Sequence, residues 1–155
     1  MWTNISNVAD GLSIISAIIT LFSAISIKKY YKKIVRQYSV EKLTASEQKL
    51  QVAKERYQQI KRMYSGEQRG VNKKKICGLY LDIDEIFDSV IFLIPTTFSS
   101  IINSIRSAKN EINTAIMDDI IPQKNEHFFE LGTLLDNIYS GIKIEKEKIQ
   151  KQNMK

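Results

Sequence analysis

Asp82, Asp84, Glu85 and Asp88 crowd one short stretch, and Asp84 and Asp88 stand one helical turn apart. Paired carboxylates at that spacing can hold a divalent cation. No glycine-bearing loop of the EF-hand kind accompanies them, and a solvated acidic helix face is the reading the residues favour. His127 is the only histidine, with no Ser or Cys nucleophile beside it in sequence, and Asn125-Glu126-His127 before a Phe-Phe pair reads as a helix start. Cys77 is the only cysteine, which excludes an intrachain disulfide and a cysteine-based zinc site. The chain holds no GxxxxGK[ST], GxGxxG or HExxH pattern. The expectation is a protein that is not an enzyme, with no catalytic residue, cofactor or metal.

A second set of residues carries physical rather than covalent chemistry. Ser13, Ser16, Thr20 and Ser23 recur at spacings of 3, 4 and 3, which gathers them on one helix face. Ala9, Ala17 and Ala24 flank that face, and Leu12, Ile15, Ile18, Ile19, Phe22 and Ile25 lie mostly away from it. Small residues let helix backbones approach in lipid, and hydroxyls can bond between helices or line a narrow aqueous path. The plainer alternative is that each hydroxyl bonds back to its own helix and faces lipid. Asp10 stands at the rim of this segment, and repeated around a ring it would favour cations.

The element that positions the stripe is an uncharged run, Gly11 to Ile27, of 17 residues, which rise about 26 Å as a helix against a hydrocarbon core of about 30 Å. Trp2 lies before it and Tyr30 and Tyr31 after it, where amphipathic rings favour the headgroup level. Lys28, Lys29, Lys32, Lys33 and Arg36 all follow the run. The positive-inside rule then places the N-terminus outside and the C-terminus in the cytoplasm, a single-pass protein of a bacterial inner membrane. A cleaved signal peptide fits poorly, because the first 27 residues hold no Lys or Arg. A buried bundle helix and a helix lying flat on a bilayer remain as alternatives.

The net charge of +6 is unevenly spread. Residues 28–75 hold 15 Lys/Arg and 4 Glu, whereas residues 76–155 hold 8 Lys/Arg and 12 Asp/Glu. The basic part follows the uncharged run directly, which points to anionic headgroups as its partner. Nucleic acid is the less favoured partner, since no aromatic-and-glycine RNA-binding signature accompanies the charge.

Beyond residue 38 the periodicity is helical throughout. Leu43, Leu50, Tyr57 and Tyr64 repeat every seven residues, with Ser46, Ala53 and Ile60 between them, a seam that suits a bundle helix or a coiled-coil stalk. Thr44 and Glu47 have capping-box spacing, so a helix can restart there. Asn72 caps a helix over 73–94, which Pro95 ends; Thr96 or Thr97 caps one over 97–118; Asn125 caps one over 125–151. Their stripes are Ile76, Leu79, Ile83, Ile86, Phe87, Val90, Ile91 and Ile94, then Ile101, Ile102, Ile105, Ala108, Ile112 and Ile116, then Phe128, Leu131, Leu135, Ile138, Ile142 and Ile149. The charged end from Glu145 is expected to fray. Ser89 to Ile105 is another uncharged run of 17 residues, and a buried helix pair broken at Pro95 fits it better than a second span. The expected fold is all-α: a transmembrane helix and basic juxtamembrane segment over 1–38, a cytosolic four-helix bundle over 39–151, and a tail over 152–155.

The opening W-T-N-I-S-N-V-A-D-G-L-S-I-I-S-A-I-I-T-L-F-S-A-I-S-I-K-K resembles small one-span bacterial proteins of anti-phage defence loci. It is similar also to the one-span accessory proteins of RNA-targeting CRISPR systems, which join a span to a HEPN-like bundle and assemble into membrane pores. The resemblance covers about 35 residues plus the helix count beyond. It implies a HEPN-like bundle and a homo-oligomeric, membrane-permeabilising effector, with a cytosolic defence protein as a partner. The HEPN ribonuclease pattern, an Arg followed by four to six residues and then a His, is absent, because no Arg stands so placed before His127. A membrane-anchored scaffold that recruits a soluble partner through the bundle is the main alternative. An RNA-binding HEPN-type protein without the nuclease motif is the third.

Overall fold

The computed structural model describes the backbone of residues 2–65, 72–118 and 126–153, and the side chains of residues 19–63, 72–117 and 126–152. Among the described residues there are four α-helices and no strand: α1 (Trp2–Ser65), α2 (Lys73–Leu93), α3 (Ser99–Asp118) and α4 (Glu126–Asn153). The chain divides into two compact units, Met1–Tyr38 and Ser39–Lys155.

No Gly or Pro occurs between Leu12 and Ser65, so no residue in that stretch interrupts the hydrogen-bond ladder of α1. The restart suggested by Thr44 and Glu47 is absent. Thr44 Oγ1 donates to the Val40 carbonyl at 2.9 Å, a bond within the helix, and the Glu47 carboxylate turns instead to Lys146 and Tyr139 of α4.

In the second unit, residues 39–65 of α1 join α2, α3 and α4 in an all-α bundle. Arg56 meets Asp82, Lys109 meets Asp84, and Tyr57 meets Phe128 while Glu47 meets Lys146. The last two pairings run α1 and α4 antiparallel. The heptad seam packs as far as its side chains are described: Leu43, Ser46, Leu50, Ala53 and Ile60 are fully buried and Tyr57 half-buried, while Tyr64 lies outside the described side chains. Ser46 is tolerated there because its hydroxyl donates to the Lys42 carbonyl at 2.9 Å. The stripes of α2, α3 and α4 supply the rest of the core, with Ile86, Ile91, Ile116 and Ile149 at its margin. Tyr80 and Ala115 are buried as well, and both fell outside the apolar stripes read from the sequence.

Asn72 caps α2 as its sequence position suggests, its side chain accepting the Lys75 N–H at 3.1 Å. At the far end Pro95 forces the residue before it out of helical geometry, and Ile94 is extended with φ −75° and ψ 128°. The uncharged run Ser89–Ile105 is thus a helix pair broken at Pro95, with Val90, Ile94, Ile101, Ile102 and Ile105 buried in the bundle. Phe98 N–H closes the turn on the Pro95 carbonyl at 3.0 Å, and the Phe98 carbonyl accepts from Ile102 at 3.2 Å. α3 therefore starts at Ser99, and neither Thr96 nor Thr97 caps it. Asn125 and residues 154–155 lie outside the described residues. α4 does not fray from Glu145. It continues to Asn153, held by Lys146 on Glu47, by Lys148 on Glu145 at 2.6 Å and by half-buried Ile149.

Among the described residues no helix is long and apolar enough to cross a membrane. Residues 11–18 of the uncharged run lie outside the described side chains.

Candidate functional site

In the first unit the described site residues are Thr20, Ser23, Lys28, Lys29, Tyr30, Tyr31, Lys32, Lys33 and Arg36, all on α1. All are exposed except Arg36, which is half-buried. Trp2, Asp10, Ser13 and Ser16 fall outside the described side chains. Ile19, Leu21, Phe22, Ile25 and Ile27 are also exposed, between 57% and 68%, so five large apolar side chains precede the lysines on an open helix surface.

The second unit contains a cleft of about 240 Å³ between α1 and α4, lined among others by Lys54, Tyr57, Lys61, Phe129, Gly132 and Asp136. Gly132 creates it. A Cβ there would lie 2.7 Å from Tyr57 Cζ, so only glycine lets the tyrosine lie across α4. The Tyr57 ring stacks on Phe128 with centroids 4.6 Å apart, and Phe128 meets Phe129 edge-on at 5.5 Å. Phe129 is 61% exposed at the cleft. Lys54 pairs with Asp136 at 2.6 Å and lies over the Tyr139 ring at 4.9 Å. Burial raises the Tyr57 pKa above its ordinary value, and the Asp136 charge adds to the rise, so the phenol stays protonated. A protonated phenol beside an ion pair can donate a hydrogen bond to a bound group. It is not a nucleophile.

The acidic cluster on α2 is not simply a solvated face. Lys109 of α3 reaches between Asp84 at 3.2 Å and Asp88 at 2.6 Å, and the lysine ammonium sits where a divalent cation would sit. Partial burial opposes the Lys109 charge. Hydrogen bonds to Asp88 and Asp84, with their negative charges, outweigh it and hold the pKa above the ordinary lysine value. Asp82 turns to Arg56 at 3.4 Å. Among the described residues no group of three or more His, Cys, Asp or Glu could hold a metal. His127 Nδ1 lies 2.6 Å from Glu111 Oε2, which ties the start of α4 to α3.

No family model, no curated protein and no solved structure matches the chain. Tyr57 and Leu135 belong to the apolar seams, but the cleft itself goes unread in the sequence, because Tyr57 and Gly132 are brought together only by the packing of α1 on α4. A glycine inside an otherwise regular helical stripe, between Leu131 and Leu135, was the available signal.

Proposed function

We propose that the chain is a homo-oligomeric protein of the bacterial inner membrane that permeabilises it as an effector of anti-phage defence. In this reading one span over Gly11–Ile27 anchors it, the N-terminus lies outside and the bundle lies in the cytoplasm. It carries out no reaction. Spans associate through Ser13, Ser16, Thr20 and Ser23, with Asp10 at the mouth of the path. The supporting observation is the open apolar surface of Ile19, Leu21, Phe22, Ile25 and Ile27, followed at once by lysines. Such a surface is costly in water, and lipid beneath anionic headgroups satisfies it. The defence role rests on the resemblance of the opening segment.

Induced expression of the full chain in bacteria tests the reading. A potential-sensitive dye should report collapse of the membrane potential before growth stops. An unchanged potential at full expression in the membrane fraction would remove the permeabilising role. That result would favour a scaffold that recruits a soluble partner, for which the exposed Phe129 at the α1–α4 cleft is the supporting feature.

A further inference from the structure

The twelve residues from Ile27 to Tyr38 separate by chemistry around α1. At 100° per residue, Ile27, Tyr30, Tyr31, Ile34, Val35 and Tyr38 fall within about 140° of the circumference, and Lys28, Lys29, Lys32, Lys33, Arg36 and Gln37 fill the remainder. No residue lies on the wrong side. The six apolar and aromatic residues are between 43% and 70% exposed. Carried back by sevens, the register of Leu43 reaches Arg36 and Lys29, so this stripe does not continue the heptad of the bundle seam.

We infer that Ile27–Tyr38 is an amphipathic lipid-binding face, which seats Ile27, Tyr31, Ile34, Val35 and Tyr38 in the interface of an anionic bilayer with the lysines among the headgroups. A stalk standing in water has no need to segregate its residues, whereas a helix that meets lipid on one side does. Two occupants compete for such a stripe, a bilayer and a second copy of the chain, and charge decides between them. The segment carries five basic residues, and no acidic residue occurs between Asp10 and Glu41. Parallel copies brought together along this face would set like charges side by side, and the segment holds no acidic residue to offset them. Phosphatidylglycerol headgroups supply the missing negative charge. Tyrosines suit this level of a bilayer, with the ring in the apolar boundary and the hydroxyl in the wet layer. The inference rests on the proposal that the first unit meets a membrane, but it does not require the preceding run to cross it.

The test uses the full chain, synthesised cell-free in the presence of vesicles, with Cys77→Ser and an environment-sensitive dye attached at Ile34→Cys or Lys32→Cys. With vesicles containing phosphatidylglycerol, the dye at 34 should brighten several-fold and shift to the blue, and the dye at 32 should keep its emission in water. The signal at 34 should fall as salt is raised or when phosphatidylcholine replaces the anionic lipid. Equal emission at the two positions, wet or dry, would overturn the proposal. So would a shift at 34 that ignores lipid charge and follows protein concentration, which would make the stripe a contact between copies. Tyr31→Glu with Val35→Glu should abolish the shift at 34 while leaving the helical signal of the bundle intact, since neither residue belongs to its core. Alkaline extraction reads the span separately. A chain released by alkali that still shows the one-sided shift ends the span reading and upholds this one, and a retained chain with equal emission does the reverse.

Discussion

Gly132 of α4 faces the hydroxyl end of the Tyr57 ring of α1, and an added Cβ would stand 2.7 Å from Tyr57 Cζ. The ring stacks on Phe128 at 4.6 Å, so moving its hydroxyl end aside disturbs that stack. Gly132→Ala gains about 1 kcal/mol of helix propensity but loses more through overpacking, about 1–3 kcal/mol. Its urea midpoint should therefore fall. Gly78→Ala is the matched control, because nothing lies within 4 Å of its added Cβ. That variant should be more stable by about 0.5–1 kcal/mol. A gain at both positions would show that Tyr57 moves freely.

The core prediction falls on Ile138, which is 1% exposed on α4. Ile138→Asp places an unpaired carboxylate among packed side chains and should cost more than about 4 kcal/mol. Residues 39–155, which form one compact unit, should lose their cooperative thermal transition with this change. A variant that melts like the parent would show that this face is not core.

Alkaline pH should weaken the bundle through two groups. The folded pKa of Lys109 is raised above 10.5, so its contribution is complete below that value and is lost as pH rises through the folded pKa. The Tyr57 phenol is raised above 10.0, so unfolding gains by ionising it once pH passes the unfolded value. Both act in the same direction, and the midpoint should fall as pH climbs beyond about 10. Tyr57→Phe should remove part of that slope. Lys109→Met should cost about 1–3 kcal/mol at neutral pH by leaving Asp84 and Asp88 without their cation. Lys109→Arg should keep the charge and flatten the alkaline fall. A pH profile unchanged in all three variants would dissociate these groups from stability.

For the proposed oligomer, Ser16→Leu with Thr20→Leu should leave membrane insertion intact while crosslinked oligomers and dye entry disappear, because bulky side chains prevent close approach of helices. Ile15→Leu with Ile19→Leu keeps volume and polarity and should be nearly silent. Intact oligomers in the first double variant would rule out the hydroxyl stripe as the contact.

The sequence exposed the bundle wherever a single helix sets its own pattern. Leu43, Leu50 and Ile60 pack as their spacing says, because seven-residue repetition survives in any all-helical context. Pro95 breaks the chain for a reason local to its ring. What escaped were choices made between helices. Glu47 had the spacing of a cap, yet its carboxylate finds a partner in Lys146, and no local rule weighs those options. Asp84 and Asp88 looked solvated because Lys109 lies on another helix. The amphipathic separation over Ile27–Tyr38 is present in the sequence, but consecutive lysines look like one basic cluster until they are set around a helix.

The clasp of Glu47 by Lys146 and Tyr139 spans 99 and 92 residues of chain. During synthesis the α2–α3 hairpin can close early around its short turn at Pro95. The seam of α1 must wait until nearly all of α4 has left the ribosome. Contacts so distant in sequence are slow to form, and the N-terminal unit leaves the ribosome long before that interval ends. The order of birth along the chain therefore separates the emergence of the first unit from the completion of the bundle.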